Sequence, residues 1–294
     1  MSRAAVAFAG YLLAVVVLTW PLAPMSSTHL PHTGGWFVSD LYYAGWALSW
    51  QTHALMTDPA HFADGNIYGG TPLALFYGTP GFGLLPMFAP IFAATGNTTL
   101  ALDVAFLLSL AWTATMIHLV VVAWTDSRPA GIAAASTYLT SRGVIGLCAA
   151  APQYAALAAI PLIAWLLARD GLGRRETIAL AALVAVQALT DVIYIAVPVV
   201  TTLGVLALAR LAHARSRPDG RRIVMALVVA GCALLPIYAA TRRSGWRIPI
   251  SPSRRCGRLH RSSGSTLRRS CPPGAHRCRW MRSRSCRRLP ACSR

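Results

Sequence analysis

The sequence predicts an all-α fold, a polytopic transmembrane helical bundle with an interfacial helix in its first outer loop and a disordered basic tail. Three observations carry that expectation. The chain is 55% hydrophobic and only 12% charged, with a mean hydropathy of +0.50, outside the range of ordinary soluble domains. Apolar runs near the ~20 residues that cross ~30 Å of hydrocarbon recur along it. Its charge is segregated: sixteen of the twenty-seven arginines lie beyond Ala240, where there is no acid, and the first 240 positions hold eleven arginines against all nine acids. The net charge of +18 therefore belongs to the tail, and the distribution argues against nucleic acid as a partner. Lysine is absent, as GC-rich coding would produce.

Ala4 to Ala23 has the length of a first transmembrane helix. A cleavable signal peptide would also follow a basic residue such as Arg3, but no small-x-small site closes the run and further spans succeed it. Residues 25–75 contain no arginine, the pattern of a non-cytoplasmic loop under the positive-inside rule. Within it, Asp40 to Thr57 reads as a helix. Tyr43, Trp46, Trp50 and His53 recur at three- and four-residue steps and form an aromatic stripe suited to the membrane interface. Asp58-Pro59 ends that helix, because a residue before proline is pushed out of the helical region.

Phe76 to Thr95 is apolar but carries Pro80, Pro86 and Pro90, so it reads as a kinked span or a re-entrant segment. Thr98 to Ala123 is a cleaner span containing Asp103 and His118, and Ile132 to Ala151 and Tyr154 to Ala168 follow on either side of the breaker Pro152. Two arginine-bearing loops, at 169–175 and 210–222, are expected on the cytoplasmic side. Between them Ile178 to Ala209 accommodates two short spans turning near Thr190-Asp191, which returns Asp191 to the outer side. Ile223 to Ala240 completes a total of about seven or eight spans. Parity conflicts with this reading. With Arg3 and the Arg169 loop both inside, an even number of crossings must separate them, and the apolar runs supply five.

The expected domains are thus a transmembrane module at 1–240 and a tail at 241–294. The tail is rich in arginine, serine, proline and cysteine and shows no apolar periodicity, so it cannot build a core. Its texture is that of GC-rich DNA translated in a shifted frame. Cys256, His260, Cys271, His276 and Cys278 lack a CxxC pair, so zinc is not expected there. Cys148 and Cys232 lie in apolar runs, where a thiol acts as a small hydrophobe.

Chemistry concentrates in residues 34–80, which hold Asp40, Asp58 and Asp64 among the aromatics. Asp40 opens the predicted helix, where a carboxylate can serve as a general base or simply cap the helix. Asp58 before proline has the pattern of a turn former, and Trp46 and Trp50 that of interfacial anchors more than of sugar-stacking platforms. His53 could bind a phosphate or a metal, but one histidine is not a site. Asp103 and Asp191 are set apart because an acid in or beside an apolar span is costly, and Arg142 is suited to snorkelling or to a carrier phosphate.

Asp40, Trp46, Trp50, His53, Asp58-Pro59, Phe62, Asn66 and Tyr68, followed by a proline-bearing apolar segment, Gly96-Asn97 and another span, resemble the N-terminal part of bacterial multi-spanning glycosyltransferases of the GT-C fold. The similarity is to the mannosyltransferase and dolichyl-phosphate-mannose-mannosyltransferase-like members, and it covers roughly residues 4–240. It implies sugar transfer from a polyprenyl-phosphate donor on the outer face of the plasma membrane, with Asp40 at the catalytic position. Trp46, Trp50, His53, Asp58, Asn66 and Tyr68 would bind substrate. The implied partners are the lipid-linked sugar donor and membrane lipids. No metal ligands and no firm cofactor follow, although a divalent metal is compatible with the chemistry. Such enzymes generally carry further spans and a C-terminal outer domain, which the recognisable chain lacks. Two other readings stay open: a small transporter-like protein using Asp103, His118 and Asp191, and a membrane fragment without catalysis.

Overall fold

In a computed structural model the chain is an all-α bundle, with no strand among the described residues. The structure describes residues 3–31, 38–67, 71–169 and 171–245. The chain divides into two units, Met1–Ile248 and Pro249–Arg294, and the second, with nearly all of the predicted tail, lies outside the described residues.

The helices are α1 (Arg3–Leu18), α2 (Leu22–Met25), α3 (Val38–Thr57), α4 (Leu85–Thr95), α5 (Thr98–Thr125), α6 (Arg128–Thr140), α7 (Arg142–Ala150), α8 (Ala159–Leu167), α9 (Arg174–Thr190), α10 (Val197–Ala212) and α11 (Arg217–Gly245). A π turn, Val192–Ala196, joins α9 to α10. The predicted interfacial helix corresponds to α3, and Asp58 leaves the helical region before Pro59 as expected.

Helix α5 is the centre of the bundle. Its start follows from two residues. Gly96, in the left-handed region at φ +65°, closes α4 by donating its N–H to the Phe92 carbonyl at 2.8 Å. Asn97 then caps α5, its Oδ1 accepting the Leu100 N–H at 3.0 Å. A glycine past one helix and an asparagine before the next turn the chain with few unsatisfied backbone groups. At 28 residues, α5 is about 42 Å long. One side of it packs Phe106 and Leu110 against Val15 of α1, Leu139 of α6 and Cys148 of α7. Another packs Leu102 against Leu41 and Leu48 of α3 and Phe88 of α4.

A separate core joins α8 to α11, built around Ile163, Leu180, Val184, Leu203, Ile223 and Ala226. Helices α9, α10 and α11 run back and forth, so the starts of α9 and α11 and the end of α10 share one end of the bundle. The reversal between α9 and α10 falls at Thr190-Asp191, where the sequence expects it.

Three stretches are long and apolar enough to cross a membrane: α5, Tyr194–Ala212 and Arg217–Ile237. Three of the other predicted spans are broken up for identifiable reasons. Ser141 interrupts the 132–151 run, its Oγ accepting the Val144 N–H at 3.4 Å and starting a new helix. Pro152 converts the next entry into a 3-10 turn, Pro152–Ala155, leaving α8 only nine residues. The proline-rich 76–95 segment becomes a 3-10 turn, an irregular link and the eleven-residue α4.

Candidate functional site

The chemistry-bearing end of the molecule is assembled around residues 78–81, the irregular link between the 3-10 turn Ala74–Tyr77 and the turn that enters α4. It is held from both sides. Gln51, fully buried in α3, donates from Nε2 to the Pro80 carbonyl at 2.7 Å. On the other side the N–H groups of Gly81 and Phe82 donate to the carbonyls of Thr190 and Leu189 at 3.2 and 3.3 Å, at the end of α9. Two positions need glycine. Gly81 sits at φ +70°, and a Cβ on Gly78 would collide with the Tyr43 hydroxyl.

Above this strap lies a cavity of about 250 Å³. Asp40 and Tyr43 from the first turns of α3, Thr79 from the strap, Gln153 and Tyr154 from the 3-10 turn, and Tyr194 from the π turn line it. The rings of Tyr154 and Tyr194 meet edge to face at 5.9 Å and 87°. Asp40 is exposed to solvent at this mouth, in the helix's first turn, where the N-terminal dipole favours a negative charge.

Asp191 is 1% exposed. Its Oδ1 accepts the Tyr194 N–H at 2.7 Å and its Oδ2 faces the Thr79 hydroxyl at 3.5 Å. It therefore fixes two walls of the cavity from behind. The π turn is the local consequence. Asp191 caps it, and the widened helix carries Tyr194 to the cavity.

The residues predicted for the site divide. Asp40 lies at the cavity. Trp46 stands one and a half turns further along α3, touches Tyr43 ring to ring at 5.7 Å, and donates from Nε1 to Asn66 Oδ1 at 3.0 Å. That bond braces the loop after α3, as does the Asp64 carboxylate, which accepts the Leu73 N–H at 2.8 Å. Trp50 is half-buried, its Nε1 without a partner among the described residues. His53 is exposed, thirteen residues and so about 20 Å along α3 from Asp40. Asp58 is further still, exposed and hydrogen-bonded to His61 Nδ1 at 2.8 Å. Tyr68 lies outside the described residues. No group of three metal-ligating side chains occurs among the described residues.

Sequence reading did not single out Thr79, Gln153, Tyr154 or Tyr194. They come from three separate segments, and no spacing rule joins them. Asp103 is fully buried in α5, with neither carboxylate oxygen partnered among the described residues. His118 Nδ1 and the Tyr11 hydroxyl share a hydrogen bond at 2.9 Å. Arg142 is exposed at the start of α7.

The chain matches no protein-family profile, and neither curated proteins nor solved structures give a match.

Proposed function

We propose that this protein is an integral membrane glycosyltransferase that moves a sugar from a polyprenyl-phosphate donor at the outer membrane face, with Asp40 as general base. The observation that supports the reading is the Asp40 carboxylate at the mouth of an aromatic- and amide-lined cavity, on the end of the bundle away from the arginine loops.

An acceptor hydroxyl is a weak nucleophile. Asp40 takes its proton as the oxygen bonds to the anomeric carbon, and the bond from that carbon to the phosphate oxygen breaks, the electron pair leaving with the phosphate. Tyr154 and Tyr194 offer faces and hydroxyls to a sugar ring, and Gln153 an amide. Because the leaving group is already a phosphate, one acid suffices where glycoside hydrolysis uses two.

The transporter reading needs Asp103, His118 and Asp191 to act on one path. His118 is engaged with Tyr11, and Asp191 with Tyr194 and Thr79. That arrangement favours the transferase.

The test is sugar release or transfer from polyprenyl-phosphate mannose by the full chain in proteoliposomes. Asp40→Asn should lower the rate by about 10²- to 10⁴-fold, and Tyr154→Phe by less. Turnover unaffected by Asp40→Asn would exclude Asp40 as the base. No turnover of polyprenyl-phosphate mannose or of its other hexose analogues by the wild type would overturn the reading itself.

A further inference from the structure

We propose that the end of the bundle opposite the cavity is a docking surface for the anionic headgroups of phospholipids in the leaflet on that side. The inference is independent of the glycosyltransferase reading.

The surface is built by two loops that are distant in sequence and tied together in the fold. Asp219, at the start of α11, accepts the Leu172 N–H at 2.8 Å through its Oδ1. Arg210, at the end of α10, donates from Nη2 to the Leu167 carbonyl at 2.7 Å, and its Nη1 is buried without a partner among the described residues. These two bonds lock the segment before α9 to the turn between α10 and α11. Around them Arg169, Arg174, Arg175, Arg215, Arg217 and Arg221 are all exposed.

The acids described at this end are already committed. Asp219 holds Leu172. Glu176 reaches back to the Gly173 N–H at 3.0 Å and stands 3.8 Å from Arg169. No ion pair with a described acid forms at Arg174, Arg175, Arg215 or Arg221. Arg174, Arg175 and Arg217 moreover lie in the first turns of α9 and α11, where the helix dipole is positive and acids are favoured, and the one acid in each turn, Glu176 or Asp219, is spent on a backbone N–H. Like charges gathered on the wrong end of two helices call for an external anion.

The neighbouring residues say which anion. Ile178 lies one turn from Arg174, Leu208 two residues from Arg210, and Val224 and Met225 one turn from Arg221, and all four are exposed apolar side chains. The guanidiniums thus form a rim directly above a hydrocarbon-facing surface, the order of layers at a bilayer edge. Trp165, stacked under Arg169 at 4.8 Å, is the amphipathic residue that favours this depth. A nucleic acid would meet the arginines but would leave the apolar belt beside them uncovered.

The experiment compares the full chain with a variant carrying Arg174→Gln, Arg175→Gln, Arg217→Gln and Arg221→Gln, in nanodiscs of phosphatidylcholine and of phosphatidylcholine mixed with phosphatidylglycerol. Sixteen further arginines lie beyond Ala240, so the decisive quantity is the difference between the two proteins rather than binding itself. Phosphatidylglycerol retention, read by native mass spectrometry, should fall by at least about tenfold in the variant. The wild type's gain in thermal midpoint from anionic lipid should disappear in the variant, whose midpoint in neutral lipid is no lower than the wild type's.

Inorganic phosphate or a short RNA added to neutral nanodiscs should not reproduce that gain. Equal retention by the two proteins would overturn the proposal. So would a gain reproduced in full by phosphate, which would mark a soluble-anion site, or by RNA, which would mark a nucleic-acid surface. A variant that fails to fold in neutral lipid is replaced by single Arg175→Gln and Arg221→Gln exchanges, each expected to lower retention by about fivefold.

Discussion

The two ends of the α9 to α11 hairpins are built from the same helices and handle charge in opposite ways. At the cavity end the charged group that matters to the packing, Asp191, is turned inward and satisfied by a backbone N–H and a threonine hydroxyl. Among the described residues, Asp40 is the charged group left facing the opening. At the arginine end the described acids are consumed by backbone contacts, and six arginines face outward. Helix α9, seventeen residues long, separates the two by about 25 Å, close to the thickness of a hydrocarbon core. A polar group in a membrane protein is thus either spent on holding the backbone or left available, and which of the two it is separates a strut from a site.

The largest effect that could break this comparison is Asp40→Asn, which should remove transfer while costing no more than about 0.3–1 kcal/mol of stability in detergent, the share of the helix dipole, because Asp40 accepts nothing from the backbone among the described contacts. A Tm shift as large as the activity loss would make Asp40 a strut after all. Asp191 should behave the other way. Asp191→Ala loses a buried cap and should cost about 1–2 kcal/mol, seen as a lowered Tm, whereas Asp191→Asn keeps an acceptor for the Tyr194 N–H and should recover most of it. Gln51→Leu removes the support of the strap and should cost about 1 kcal/mol through the orphaned Pro80 carbonyl, with cavity function falling alongside.

The smallest effect tests the arginine end. Arg174→Glu places an acid in the first turn of α9 and should stabilise the protein by about 0.3–1 kcal/mol in neutral detergent, while weakening retention of anionic lipid. Opposite signs in the two media are the signature of cations kept for a partner rather than for the fold.

Much of this polarity was legible in the sequence. Segregation of arginine along the chain gave the loops at 169–175 and 210–222, the Thr190-Asp191 reversal, and the arginine-free stretch carrying Asp40. Asn97, Pro59 and Pro152 act as local signals should, through a cap, a steric clash and a missing N–H. What escaped was non-local. Ser141 splits an apolar run because its hydroxyl captures a backbone N–H, a choice that hydropathy does not register. Trp46 and Asn66, read as substrate contacts, hydrogen-bond each other, and that pairing depends on how the loop after α3 folds back. The aromatic stripe on α3 was a sound periodicity, yet helix rise alone places His53 about 20 Å from Asp40. Tyr154 and Tyr194 join Asp40 only through packing of distant segments, which one sequence cannot report.

The account rests on the two ends lying on opposite faces of the membrane, and sidedness can be read directly. In a cysteine-free background, single cysteines at Thr79 and at Arg215 would be labelled in intact cells with a membrane-impermeant maleimide. The account predicts labelling at position 79 from outside and at position 215 only after the membrane is opened. Labelling of both from the same side would contradict it.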